Sequence, residues 1–473
     1  MGGAVLALLA IIGGVVAPRQ SPAGPVLSTI GLTEFPTTLF VDAQTRRAFV
    51  LTVPLGAGGA HVTTVDLDTG AALRTVTVGS GIAGDTPAAL DWRAARLVVA
   101  ATTITTAPPG VAGRVTVLDA RTGAVARVLA VGLYPHSVAA DEDAGHTFVA
   151  GEGLNGAGLV AMLDTRGGRL LRTSRVGPSP RGDMTVDARA RRVFVPVVAQ
   201  TGPVRVRVVD ARSGVVGQTI DVGAFPVAVA ATGLGGLLAA GRSGVRLIDL
   251  RHGRVPRAIP VGATADGARL AIDAPLRRAV VVTVAGATLL DLDKGTVIGA
   301  VPGAQPASTP AFDERTGRLF VLTQPMTGAY VPIGHGGVTM LDARSGKALR
   351  TVTVGVDPLA VMVDAARGRV LVLNHGTTPR GGPDLADGSV NVLDARTGAV
   401  RATIPVGADP TALAVDDRNG HIVVVTGPTT MLTPDPWGWL PPLARRHLPF
   451  VPRAGARLRA VPGSVRVLAA TRQ

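Results

Sequence analysis

One short phrase recurs along the chain and constrains its folding more than any other feature. An apolar run ends in Asp, and Gly follows after three intervening residues. The phrase spans Asp66–Gly70, Asp119–Gly123, Asp164–Gly168, Asp210–Gly214, Asp249–Gly253, Asp291–Gly295, Asp342–Gly346 and Asp394–Gly398. Successive aspartates are 53, 45, 46, 39, 42, 51 and 52 residues apart. The phrase has a mechanical reading. The carboxylate accepts hydrogen bonds from turn amides and from the Thr or Ser hydroxyl, and the Gly supplies the positive φ of a bulged hairpin turn. On this reading Asp66, Asp119, Asp210, Asp342 and Asp394 are turn residues and do not form a carboxylate array for chemistry.

A second phrase follows each turn. A strand ends in Val-Gly, a loop often carries Pro, and an apolar strand then ends in another Asp. Val354-Gly355-Val356-Asp357-Pro358 followed by Ala360-Val361-Met362-Val363-Asp364 is the clearest copy. The Asp closing that inner strand recurs at Asp42, Asp91, Asp141, Asp187, Asp273, Asp313, Asp364 and Asp416, and is lost only where Val229-Ala230-Ala231 runs into Thr232. Each unit therefore predicts four short strands, the size of one blade of an all-β propeller. The inner strand is apolar on both faces, as a strand sandwiched between neighbouring blades would be. Nine inner strands are counted. The ninth unit, starting at Pro410, lacks an outer strand, and Val26-Leu27-Ser28-Thr29-Ile30-Gly31 resembles the missing piece. The two ends are thus predicted to meet in one composite blade, closing the ring and leaving no open edge.

The strand Arg369-Val370-Leu371-Val372-Leu373-Asn374, with weaker copies at Arg318–Val321 and Arg192–Val195, resembles the strand that names the YVTN-repeat propellers. Together with Leu-Asp-x-x-Thr-Gly and Val-Gly-x-x-Pro, the pattern is similar to the YncE-like and surface-layer members of that family over about residues 24 to 426. The resemblance implies seven or eight blades, whereas the count of units gives nine. It implies nothing firm about activity, since the shared residues belong to turns and core. Related propellers include lactonases and quinoprotein dehydrogenases, and some YncE-like proteins are implicated in DNA binding.

Composition narrows the functional classes. Cysteine is absent, which excludes disulfides, thiol catalysis and Cys-ligated centres. The net charge is +14, but the arginines are dispersed, and with 3% aromatic residues there is little to stack bases. Nucleic acid is a partner that the chain allows without favouring. Residues 1–23, apolar from Val5 to Ala17, read as a signal peptide or membrane anchor. That makes the remainder, 24–473, a single extracytoplasmic propeller domain, secreted or tethered, with an insertion at about 427–463.

No nucleophile motif, phosphate loop or telling metal-ligand spacing is present, and no cofactor is predicted. The Asp-bearing turns share one face of the ring, here called the turn face. The Val-Gly-x-x-Pro loops and the connections between second and third strands lie on the opposite, loop face, where propeller ligands usually bind. His61, His136, His335 and His375 are the candidate ligand-face residues, His136 foremost because it follows Tyr134-Pro135 near the start of an inner strand. Two long connections, from Gln324 to Gly337 and from Asn374 to Gly388, reach over the same face. The insertion holds Trp437, Trp439, Arg445, Arg446 and Phe450, a mixture suited either to a membrane or partner contact or to a cap over the channel. The leading expectation is a binding or scaffold protein for an unknown protein or small-molecule ligand. A propeller enzyme, lactonase-like or quinoprotein-like, and a nucleic-acid binder are the alternatives.

Overall fold

The computed structural model describes residues 26–469 apart from 55–58, 80, 83–86, 107–108, 199–203, 224–225, 242–243, 251–253, 260, 262–267, 306–307, 327–332, 377–387 and 434–456. The segment 1–23 and the residues Trp437, Trp439, Arg445, Arg446 and Phe450 lie outside the described residues. Within them the chain folds as a β-propeller of nine four-stranded antiparallel blades. Blade 1 runs Phe35–Asp42, Arg47–Val53, Ala60–Asp66, Ala72–Gly79 from the inside outward. Blade 5, the unit without the inner-strand Asp, runs Pro226–Ala231, Gly236–Gly241, Gly244–Asp249, Arg254–Ile259, and blade 6 follows from Arg269 to Pro302. Blade 7 spans Ala311 to Val356, and blade 8 runs Pro358–Asp364, Arg369–Asn374, Gly388–Asp394, Val400–Gly407.

Blade 9 is composite, as expected. Pro410–Val415, Ile422–Thr426 and Gly463–Leu468 come from the end of the chain, and Val26–Leu32 is its outer strand, pairing Ile30 with Val465 and Leu32 with Gly463. His421 Nδ1 donates to Leu67 O at 2.7 Å, so the last blade is also clasped to the turn of the first.

The turns form as their residues dictate. Asp66 Oδ1 accepts from the amides of Asp68 and Thr69, each at 2.9 Å, and Asp119, Asp210, Asp342 and Asp394 repeat the arrangement. Gly70 has φ +69°, and a Cβ there would also collide with the Ser28 hydroxyl of blade 9. The turn glycine is therefore required twice, by its own conformation and by the neighbouring blade. The second carboxylate oxygen has a role that the turn phrase alone does not reveal. It pairs with the Arg that starts the second strand: Arg47–Asp66 at 2.8 Å, Arg96–Asp119 at 2.6 Å, Arg278–Asp291 at 3.1 Å and Arg318–Asp342 at 3.3 Å. In blade 8 that Arg is itself buried. Arg369 turns to Asp364 Oδ2 at 2.9 Å and reaches Gly420 O of blade 9.

One expectation about the strands is refined. The inner strand is only partly buried, as in Phe35–Asp42, whereas the second strand is covered along its length, as in Arg47–Val53. The innermost strand borders the axis of the ring on one edge, so the second strand is the one fully sandwiched between blades. The apolar interior is accordingly divided. Nine clusters of buried side chains are found among the described residues, and each joins two adjacent blades. Phe49 and Leu97 meet between blades 1 and 2, Phe320 and Val370 between blades 7 and 8, and Val50 and Val465 between blades 9 and 1. Burying side chains of this size contributes about 1.5–3 kcal/mol each.

Candidate functional site

The loop face is uneven. Blades 5 and 6 pass from second to third strand between Gly241 and Gly244 and between Thr283 and Gly286. Blades 7, 8 and 9 make the same passage from Thr323 to His335, Asn374 to Gly388 and Thr426 to Gly463. These three long connections are consecutive, and the first residues to leave the sheet are Gln324, His375 and Gly427. The connection of blade 9 begins as a ribbon of its own, in which Thr429–Thr433 pairs with Arg457–Val461.

Beneath these departures lies a polar cluster. Asp357 and Asp409 occupy equivalent places, before the proline that starts the inner strands of blades 8 and 9, and both have φ of +51°. A left-handed backbone is unusual outside Gly, and a following proline restricts it further. Such positions cost of order 1–3 kcal/mol and gather at sites where geometry serves function. One backbone clasp holds both: His375 N donates to Asp357 O at 2.9 Å and Gly427 N donates to Asp409 O at 2.8 Å.

The side chains then interlock across three blades. His375 Nε2 lies 3.0 Å from Asp409 Oδ1. Gln305, buried, donates from Nε2 to Asp357 Oδ1 at 3.0 Å. Gln324, also buried, accepts from Asp357 N at 3.2 Å and donates to Pro325 O and Ile333 O, pinning both ends of the blade 7 connection. Below them Asn374 Nδ2 donates to Asn391 Oδ1 at 2.8 Å, and the same oxygen accepts from Gly355 N. Gly355 cannot be larger, because a Cβ would stand 2.6 Å from Asn374 Cγ. Burial pushes the Asp357 carboxyl above the usual carboxylate range, against the opposing pull of His375 and the Gln305 amide. The cluster offers carboxylates, amides and an imidazole to polar groups of a ligand.

The four candidate histidines are spread over blades 1, 3, 7 and 8. His61 Nδ1 lies 2.9 Å from Glu34 Oε2, which also accepts from the Thr52 hydroxyl at 2.6 Å. His136 sits in the inner strand of blade 3, at the break of register after Pro135, with Nε2 3.8 Å from Glu152 Oε1. Glu152 is shared with Ser179 and with Arg181 at 3.3 Å. His335 and His375 both bond the segment from Val354 to Asp357, His375 through its backbone amide. His335 Nδ1 donates to Val354 O at 3.0 Å. Gln305, Gln324, Asp357 and Asp409 are absent from the candidates read from sequence. The signal that marks two of them is Val-Gly-x-Asp-Pro, which occurs at two successive connections. Among the described residues no cluster of three His, Cys, Asp or Glu side chains is arranged to hold a metal ion.

No protein-family model matches the chain, and no curated protein matches it in sequence. Solved structures do. A eukaryotic initiation factor is matched with a TM-score of 0.53 at 14% identity, over 80% of this chain and 89% of that one. The dihydro-heme d1 dehydrogenase NirN in complex with DHE gives a TM-score of 0.46 at 16% identity, with 66% of each chain covered, just under two thirds of its length. BamB from Moraxella catarrhalis gives 0.42 at 16% identity, over 74% of this chain and 97% of that one. At these identities the likeness extends to the fold alone.

Proposed function

We propose that this propeller, of the YVTN-repeat kind, is an extracytoplasmic binding or scaffold protein that takes a polar ligand on its loop face over blades 7 to 9. The observation that carries this reading is the coincidence of three successive long connections with one interlocked polar cluster. A rigid ring displaying long loops from a fixed base is a common design for binding. The left-handed Asp357 and Asp409 support it as well, since strain of that kind is retained where geometry serves a purpose. The apolar run from Val5 to Ala17 supports export. Determining the N-terminal residue of the native protein tests that part. For the site, mass analysis of small molecules that co-purify with the full chain, compared with Asp357→Asn and His375→Ala variants, is the deciding experiment. A ligand retained equally by all three proteins overturns the placement.

A second reading is favoured by one feature. His375 held by Asp409, beside the raised carboxyl of Asp357, is a pairing suited to acid–base chemistry on a hydrolysable ligand. Turnover of simple lactones and esters, lost in His375→Ala, is its test. Carboxylates at this site do not suit a nucleic-acid backbone.

A further inference from the structure

The turn face carries a second feature, independent of the loop-face reading. Between blades 7 and 8 an open cleft of about 500 Å³ is lined by Arg315, Arg367, Arg396 and Arg401, with Asp394 and Gly368 among the remaining residues. Its volume lies in the range of small-molecule sites. Gly368, with φ +59°, lies in the cleft wall, and a Cβ there would stand 2.8 Å from Arg315 Nη2.

The four guanidinium groups divide into two kinds. Arg367 is braced from blade 9, donating to Asp417 O at 2.9 Å and Arg418 O at 2.7 Å, and Arg401 is paired with Asp394. Arg315 and Arg396 are exposed. Elsewhere on this face three arginines of first hairpins are matched by acids. Arg46 pairs with Asp68, Arg277 with Asp293, and Arg93 with Asp143 at 3.0 Å. Asp68 and Asp293 stand two residues after the turn aspartate of their blades, and in blade 8 that place is Arg396. Arg stands at that place in blades 2, 3, 4 and 7 as well, as Arg121, Arg166, Arg212 and Arg344, and at this junction four arginines line one cleft. Asp394 lines the cleft with the four guanidiniums, and Asp364 Oδ2 stands 3.5 Å from Arg367 Nη1; each guanidinium is a planar fork that suits a bidentate oxyanion.

We propose that this cleft binds a multivalent oxyanion through Arg315 and Arg396 set against the fixed guanidiniums of Arg367 and Arg401. The chemistry is shared by pyrophosphate-bearing and polycarboxylate ligands. Isothermal titration of the full chain at about 50 mM salt with inorganic pyrophosphate, and separately with citrate, tests it. The expected result is one saturable site for at least one probe, and the tighter probe names the source. Arg315→Gln with Arg396→Gln weakens it about tenfold or more. Arg121→Gln with Arg212→Gln, which removes the same charge from the turns of blades 2 and 4, leaves it unchanged. Saturable binding of neither probe, or equal weakening by both double variants, overturns the proposal. Equal weakening would trace the effect to the overall positive charge.

Discussion

Blades 5 and 6 and blades 7 to 9 share one architecture and treat their loop face in opposite ways. The first pair turns back as soon as the strand ends, at Gly241 and at Thr283. The other three depart on long excursions anchored by Gln324, His375 and Gly427. Blade 5 also closes its inner hairpin with Thr232, whose hydroxyl accepts from Leu234 N and Gly236 N, where blade 8 uses a buried ion pair. The difference teaches where this ring is only a scaffold and where it commits polar groups to the interior. Four measurements break or sharpen that contrast.

The largest effect is expected at the composite blade. Deleting residues 26–32 uncovers the edge of Gly463–Leu468 and exposes apolar surface now buried by Ile30 and Leu32. The loss is at least about 3 kcal/mol, with aggregation through the open edge. An unchanged melting curve refutes closure by the chain ends. Next comes the buried pair of blade 8. Asp364→Ala leaves Arg369 in the interior without its carboxylate and costs about 3–5 kcal/mol in urea unfolding. Thr232→Ala, its counterpart in blade 5, costs about 1 kcal/mol. Equal costs would remove the distinction between the two regions. Third, replacing residues 375–387 by a two-residue turn like that of blade 5 changes stability by about 1 kcal/mol or less, because loop length weighs little on the fold. The same change abolishes retention of the co-purifying ligand. Retained ligand would return the excursions to mere decoration.

The smallest effect is a slope with pH. Asp357 is raised above its ordinary value, so its contribution to stability is fully present below about pH 3.8 and is lost as pH rises through its folded value. Asp357→Asn removes that loss, and the variant gains on the parent as pH rises above about 3.8. Asp394 has the opposite sign. Burial works against its charge, but the Thr397 amide, Arg401, the Thr397 hydroxyl and the Arg396 amide hold it down to about 2. Its contribution is present above about pH 3.8 and falls away toward pH 2. A parent protein whose stability does not change over either window contradicts the assignment for that window.

The turns, the number of blades and the composite closure are readable from sequence because each rests on local chemistry. A carboxylate bonds amides two and three residues ahead and a glycine takes a positive φ, and both recur at a fixed place in the turns of blades 1, 2, 4, 6, 7 and 8. The polar cluster has no such locality. Gln305, Gln324, Asp357, His375 and Asp409 come from five separate segments and three blades, and ring geometry alone assembles them. Strands read as apolar on both faces disclose that they are covered, yet not which of them borders the axis. The Arg that begins the second strand in six of the nine blades is equally silent, since its partner lies across a hairpin of variable length.

A last consequence follows from the division of the apolar interior into nine slabs, each owned jointly by two neighbours. Among the described residues no blade has a core of its own, so none is a domain that can be cut out and kept. Equally, a copied unit brings one new slab of the same kind and asks for no packing surface that is not already present. Growth of such a ring resembles adding staves to a cask, where cohesion is settled between adjacent pieces. What limits the number is whether the circle still meets. In this chain that meeting is made by one short strand, Val26–Leu32, by the slab that Val50 and Val465 share, and by one imidazole at His421.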